Sequence, residues 1–275
     1  MGRDRITELF DRARAEGRAV FLPFLTAGLP DPGSSPSLFR AMAEAGADGF
    51  EVGIPYSDPL MDGPVIQRGS ELALAAGTRL EVAFDIVGRV TRLGKPVLAM
   101  TYSNPVFRRG PAWFCGRLRD VGADGLIVAD LPVEEAQPLL DAAAEFDLGV
   151  VLFVAPTSTD ERIRRVVEAD PVFVYAVAEL GVTGERDDPG GHIARLVERV
   201  KAAGDVPVVA GVGIAGPEQA RRAAEAGADG VIIGSAIVRR VLEAGSVAEA
   251  EEALRDLVAR VADSLRVRAD TALPE

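Results

Sequence analysis

Residues 45–54 read Ala45-Gly46-Ala47-Asp48-Gly49-Phe50-Glu51-Val52-Gly53-Ile54: a helix ends, a short turn follows, and an apolar strand begins with one acid inside it. The same turn returns at Val121-Gly122-Ala123-Asp124-Gly125 ahead of Leu126-Ile127-Val128. It returns again at Ala226-Gly227-Ala228-Asp229-Gly230 ahead of Val231-Ile232-Ile233. Three copies of helix, turn and buried strand imply repeated βα units. Further short apolar runs at residues 19–28, 96–102, 149–155, 172–177 and 206–210 bring the number of strands to eight, alternating with helical segments such as 38–45. Runs this uniformly apolar suit parallel strands covered on both faces. Eight of them suit an α/β fold closed as a single (β/α)8 TIM barrel. An open doubly wound sheet is the competing architecture; a G-x-G-x-x-G turn after the first strand would favour it, and Gly28 has no such company.

The length of 275 residues agrees with one barrel domain, for which about 250 residues are typical. Leu9, Phe10 and Ala13 share one face of a helical pattern over 7–15, an extra N-terminal helix expected to cover an end of the barrel. The last helix is expected over 247–267, so the domain is read as 1–267, followed by a polar tail at 268–275. The net charge of −12 opposes binding to nucleic acid or an anionic membrane. No apolar run approaches the ~20 residues that span a bilayer. With no apolar core in the first residues, and with Cys115 alone and read as a packing residue, a cytoplasmic protein is expected.

In a barrel of this kind the loops after the strands converge on one face, which carries the active site. Glu51 lies inside an apolar strand, and Asp62 lies eleven residues on, in a loop of Pro and Gly. A Glu among hydrocarbon raises its pKa, whereas an Asp in a wet loop stays charged, and that contrast makes an acid/base pair. The competing reading has Glu51 facing water at a strand edge and Asp62 forming a turn. Glycines after the last three strands, at Gly181-Val182-Thr183-Gly184, Gly211-Val212-Gly213 and Gly234-Ser235, supply the parts of a backbone phosphate cradle. Ser235 opens a short phosphate-binding helix after strand 8. Those glycines would equally serve tight turns. Of the two lysines, Lys95 precedes the third strand and Lys201 sits in a helix, so neither is placed for a Schiff base. One histidine, His192, and one cysteine argue against a metal site. The chemistry falls to carboxylates, with Tyr175 as a supporting hydroxyl.

The segments Pro23-Phe24-Leu25-Thr26-Ala27-Gly28, Glu51-Val52-Gly53-Ile54-Pro55-Tyr56-Ser57-Asp58-Pro59 with Asp62-Gly63-Pro64, Met100-Thr101-Tyr102 with Asn104-Pro105, Ala129-Asp130-Leu131-Pro132, Gly181-Val182-Thr183-Gly184 and Gly234-Ser235-Ala236 closely resemble the tryptophan synthase alpha chain family, in the right order. The acid-bearing segment is the specific one. The resemblance implies reversible retro-aldol cleavage of indole-3-glycerol phosphate to indole and glyceraldehyde 3-phosphate. By the same resemblance Glu51 is the acid/base, and Asp62 binds the indole N–H and stabilises the charged intermediate. Phe24, Tyr102, Ile127 and Tyr175 line the indole pocket, Gly184, Gly213, Gly234 and Ser235 hold the phosphate, and Thr183 is a further substrate-binding residue. It also implies a tryptophan synthase beta chain as partner, in an alpha2-beta2 heterotetramer, meeting this chain at Ser57, Asp58, Pro59, Asn104 and Pro105. No cofactor is expected here; pyridoxal phosphate belongs to the beta partner. Two departures stand out: Val212 where an aromatic is common, and Ala178-Glu179-Leu180 where small hydroxyl residues are usual.

Three other functions compete. A free-standing lyase would release indole without a partner. An isomerase of a phosphorylated sugar or anthranilate intermediate would carry its acid and base on other strands. A non-catalytic module regulating a beta chain would have no need of a buried Glu51.

Overall fold

The computed structural model of the chain describes residues 2–177, 191–211 and 213–266. It opens with α1 (Gly2–Ala15), β1 (Val20–Thr26), α2 (Ser35–Glu44), β2 (Phe50–Gly53), α3 (Pro64–Ala75) and α4 (Leu80–Thr91). There follow β3 (Val97–Thr101), α5 (Ser103–Arg109), α6 (Pro111–Asp120), β4 (Gly125–Val128), α7 (Gln137–Glu145), β5 (Gly149–Val154) and α8 (Asp160–Glu168). The chain continues with β6 (Phe173–Ala176), α9 (Gly191–Ala203), β7 (Val208–Ala210), α10 (Pro217–Glu225), β8 (Gly230–Ile233), α11 (Ser235–Glu243) and α12 (Val247–Ser264). All neighbouring strands pair in parallel, and β1 pairs with β8, closing the barrel. The open-sheet alternative is thereby excluded.

The strands are apolar on both faces because both are covered. Val52, Ala99, Leu126 and Val174 pack outward beneath the helices at zero exposure, and Leu22, Leu98 and Phe173 are buried as deeply. At the end where strands begin, α1 closes the barrel. Ile6 reaches under β4 and β5, where a Cβ on Gly125 or Gly149 would stand 3.1 Å from its Cδ1. The helix starts earlier than its 7–15 periodicity indicates, because Gly2 and Arg3 donate their N–H groups to Asp147 at 3.2 Å and so anchor the first turn to the α7–β5 connection. The last helix ends at Ser264 rather than 267; residues 267–275, including the expected tail, lie outside the described residues.

The three repeated turns share one device. Asp48 accepts the Phe21 N–H at 2.9 Å, Asp124 accepts the Val97 N–H at 2.8 Å, and Asp229 accepts the Val208 N–H at 2.8 Å. Each carboxylate thus satisfies a backbone donor at the start of the preceding strand, a group that otherwise ends the ladder unpaired. Each also meets a cation: Arg18 for Asp48, Arg5 for Asp124 and Lys201 for Asp229. Lys201 is therefore committed to the closed end of the barrel. Lys95 borders a pocket there with Arg18, Asp48 and Leu265, so both lysines sit away from the open mouth. Cys115 is fully buried in α6, as a packing residue should be, and His192 is exposed on α9. Among the described residues no helix is long and apolar enough to cross a membrane.

Candidate active site

At the end where strands finish, a cavity of about 710 Å³ opens, within the ~300–1,000 Å³ usual for small-molecule sites. Strand residues form its wall: Phe24 from β1, Glu51 from β2, Met100 from β3, Phe153 from β5, Tyr175 from β6 and Ile232 from β8. Phe24 and Glu51 are registered partners, which sets the acid beside an aromatic face. Phe153 and Tyr175 are also registered, with ring centroids 5.1 Å apart. Gly211, directly after β7, keeps the tyrosine in place: a Cβ there would meet its hydroxyl oxygen at 2.1 Å.

Glu51 is 2% exposed, and its Oε2 has no hydrogen-bond partner. The alternative of a water-facing Glu51 is excluded. Burial, with a smaller push from the Asp62 charge, raises its carboxyl to about 8, so near neutral pH it holds its proton. Asp62 lines the same cavity from the β2–α3 loop. Here the sequence reading needs correction. The loop is largely exposed, but Asp62 itself is half-buried, and its carboxyl is raised by burial to about 6, partly countered by the Tyr102 hydroxyl. The ordering of the two acids survives, because Glu51 rises further. Tyr175 is pushed well above the ordinary phenol value by burial and by the charges of Glu51 and Asp62, and stays protonated.

The glycine-rich rim follows β7 and β8, three and two strands around the barrel from β2 and its Glu51. Gly213, Gly234 and Ser235 line the cavity, and Ser235 is the first residue of α11, whose leading N–H groups have no partner within the helix. Gly213 has φ +78°, a left-handed conformation that favours glycine. Thr183 and Gly184, like Gly181, Val212 and residues 178–180, lie outside the described residues.

Two residues expected in the pocket are not on its wall. Ile127 is fully buried within β4, paired to Met100 and Val151, and it is Met100 that reaches the cavity. Tyr102, one residue past β3, is 2% exposed and turns its hydroxyl to the loop of Met61 and Asp62. Sequence reasoning also missed three cations at the mouth, Arg162, Arg239 and Arg240. For Arg239 the signal was present: it follows Ser235 by four residues, the same helix face, and long helical side chains lean toward the N-terminus. Asp130 was quoted only as part of a motif. Its carboxylate accepts the Ser103 N–H and hydroxyl at 2.6 and 2.8 Å, tying the end of β4 to the start of α5.

Ser57, Asp58, Pro59, Asn104 and Pro105 form a neighbouring surface beside the mouth. Ser57, Asp58 and Asn104 are exposed, Pro59 and Pro105 half-buried, and the Asn104 amide donates to the Tyr56 hydroxyl at 2.9 Å. Leu60 and Met61 beside them are 79% and 65% exposed, and Phe107 is 40% exposed. Among the described residues no cluster of His, Cys, Asp or Glu could hold a metal ion.

A family model described as tryptophan synthase alpha chain matches residues 10–267. The chain belongs to the tryptophan synthase alpha chain family. Its relatives include the tryptophan synthase alpha chains of Salinispora tropica, 46% identical and covering 96% of this chain and 99% of that one, and of Prochlorococcus marinus, 44% identical and covering 90% of each. Among solved structures it is similar to Mycobacterium tuberculosis tryptophan synthase, with a TM-score of 0.87 at 41% identity, covering 96% of this chain and 98% of that chain. The tryptophan synthase alpha subunit of Legionella pneumophila matches at 31% identity and a TM-score of 0.86, covering 95% and 98%. The function is therefore that of the alpha subunit in tryptophan biosynthesis, and the reaction is the cleavage of indole-3-glycerol phosphate.

Proposed function

We propose that Glu51 and Asp62 are the catalytic pair of this cleavage. Glu51, protonated at rest, gives its proton to C3 of the indole, which becomes an indolenine-like cation. The Asp62 carboxylate receives the indole N–H and stabilises that charge. The Glu51 carboxylate left behind takes the proton from the hydroxyl on the carbon attached to C3. As that O–H electron pair becomes the aldehyde carbonyl, the carbon–carbon bond breaks and its electrons return to the indole ring. Indole and glyceraldehyde 3-phosphate result, and Glu51 is protonated again.

The observation that supports this assignment is the unpartnered oxygen of a buried Glu51 on the cavity wall, facing the same space as Asp62. A carboxyl with no structural hydrogen bond to satisfy costs stability, and a proton-transfer role explains its retention. Phe24 and Tyr175, with Phe153 and Met100, offer the apolar faces for indole. Gly213, Gly234 and Ser235, together with Gly184 by resemblance, are read as the phosphate cradle, and Thr183 by resemblance as a further substrate contact. No cofactor is needed in this chain for a cleavage run by carboxylates.

The partner is read as a beta chain in an alpha2-beta2 heterotetramer, docking on the surface of Ser57, Asp58, Pro59, Asn104 and Pro105 and receiving the indole. Pyridoxal phosphate would be the beta chain's. The exposed Leu60, Met61 and Phe107 nearby provide the apolar area that such contact covers.

The pH dependence of kcat/KM tests the pair. Asp62 must be ionised and Glu51 protonated, so the profile is expected to be a bell with limbs near 6 and 8. A flat profile from pH 5 to 9 would refute the assignment.

A further inference from the structure

Arg162, Arg239 and Arg240 border the cavity, in a chain whose 42 acidic side chains outnumber its 30 lysines and arginines. Two of these cations are engaged within the protein. Arg162 pairs with Glu134 at 3.0 Å, and Arg240 donates to the Ala236 carbonyl at 2.9 Å inside its own helix. Arg239 is exposed and, among the described residues, makes no hydrogen bond or ion pair. Glu243 follows it by four residues on α11, a spacing at which helical ion pairs form, although an Arg ahead of a Glu is the weaker orientation. Arg239 instead borders the cavity together with Gly234 and Ser235, at the N-terminal end of that helix.

A cation gains nothing from such a place by itself. The first turn of a helix already carries partial positive charge on its unpaired N–H groups, so a guanidinium beside it is stabilised when an anion joins them. The unpartnered Oε2 of buried Glu51 marks the same cavity as one that receives a ligand. Indole-3-glycerol phosphate brings one anionic group, its phosphate. Around β1, β3, β5 and β6 the wall is made of Phe24, Met100, Phe153 and Tyr175, and β2 with its following loop adds the two acids, so neither part suits a phosphate.

We propose that Arg239 is a substrate-binding residue: its guanidinium meets the phosphate of indole-3-glycerol phosphate from the α11 side and adds a full charge to a cradle of backbone amides. This rests on the reading of Gly213, Gly234 and Ser235 as that cradle. The planar guanidinium offers paired N–H groups to two phosphate oxygens. In a chain of net charge −12 it also supplies local positive potential to an incoming dianion. Phosphorylated substrates are thereby selected over neutral ones of the same shape.

The test is Arg239→Gln and Arg239→Lys in the full chain, with Ser235→Asp as a control on the cradle. Asp is well tolerated at a helix start, so this control keeps the fold while setting a carboxylate against the phosphate. KM for indole-3-glycerol phosphate, inhibition by inorganic phosphate and binding of indole are measured for each. In Arg239→Gln, KM and the inhibition constant for phosphate should both rise about 10-fold, with kcat and indole binding little changed. Arg239→Lys should recover part of the loss, because it restores the charge without the fork. Unchanged KM and phosphate inhibition in Arg239→Gln, beside weakened phosphate inhibition in Ser235→Asp, would overturn the role of Arg239 alone. Equal weakening toward indole, which carries no phosphate, would overturn it as well. Wild-type phosphate inhibition in Ser235→Asp would overturn the underlying reading of the cradle.

Discussion

Glu51 shows how a single position couples stability to chemistry. Its folded-state pKa of about 8 lies above the 4.5 of an unperturbed Glu, so between those values the native chain holds a proton that the unfolded chain has released. Stability therefore falls as pH rises through that window, by at most about 1.4 kcal/mol per pH unit from this group. Glu51→Gln removes the titration but keeps the shape. In thermal melts its advantage over wild type should be small at pH 5 and grow steadily toward pH 8. An offset independent of pH would mean that Glu51 is not the buried acid described here. Asp62 carries the same sign with a smaller span, from 3.8 to about 6.

At the scale of elements, the repeated Gly-Ala-Asp-Gly turn is where sequence and structure meet most closely. Its recurrence was legible and located three strands, yet the purpose of its Asp was not, because the donor it satisfies belongs to a different strand 21 to 27 residues earlier. The cost of losing each Asp should follow its burial. The Asp124 side chain is 2% exposed against 14% for Asp48 and 21% for Asp229, so water replaces the lost partner least readily at Val97. Asp124→Ala is expected to cost about 1–3 kcal/mol in urea unfolding, the range for a buried donor left unpaired, and Asp48→Ala and Asp229→Ala less. Equal or inverted costs would show that the Arg5, Arg18 and Lys201 pairings matter more than the backbone bonds. Strand existence was legible for the physical reason that period and composition are local. That Met100 reaches the cavity while Ile127, its registered partner on the same inward face, stays fully buried was not, since it depends on what covers each position in the closed barrel. The loop around Asp62 is exposed as expected, but the half-burial of Asp62 was not legible, because Pro and Gly describe the backbone whereas burial comes from what packs beside the side chain.

For the whole molecule, the mouth of the barrel is bordered by exposed apolar side chains on the side of Asp62, and Asn104, Tyr56 and Tyr102 form a continuous path from that surface to the backbone of Met61, next to Asp62. A partner seated there would order groups one contact away from the chemistry. Indole release by this chain should therefore rise when a beta chain from the same source is added, and the rise should shrink for Asn104→Ala. Equal rates with and without the beta chain would favour a free-standing lyase. The barrel as a whole was legible from eight apolar runs and three repeated turns, and the acids from their contrasting surroundings. Arg162 at the mouth was not, because it comes from α8, which only the closed topology brings beside α11, whereas Arg239 could have been read from its spacing to Ser235. The most direct measurement is indole release from indole-3-glycerol phosphate by Glu51→Gln beside wild type, with inorganic phosphate binding followed in both. Turnover should fall by about 10²–10⁴-fold, the usual share of a general acid/base, while phosphate binding is retained. Cleavage at near the wild-type rate would contradict the central role given to Glu51.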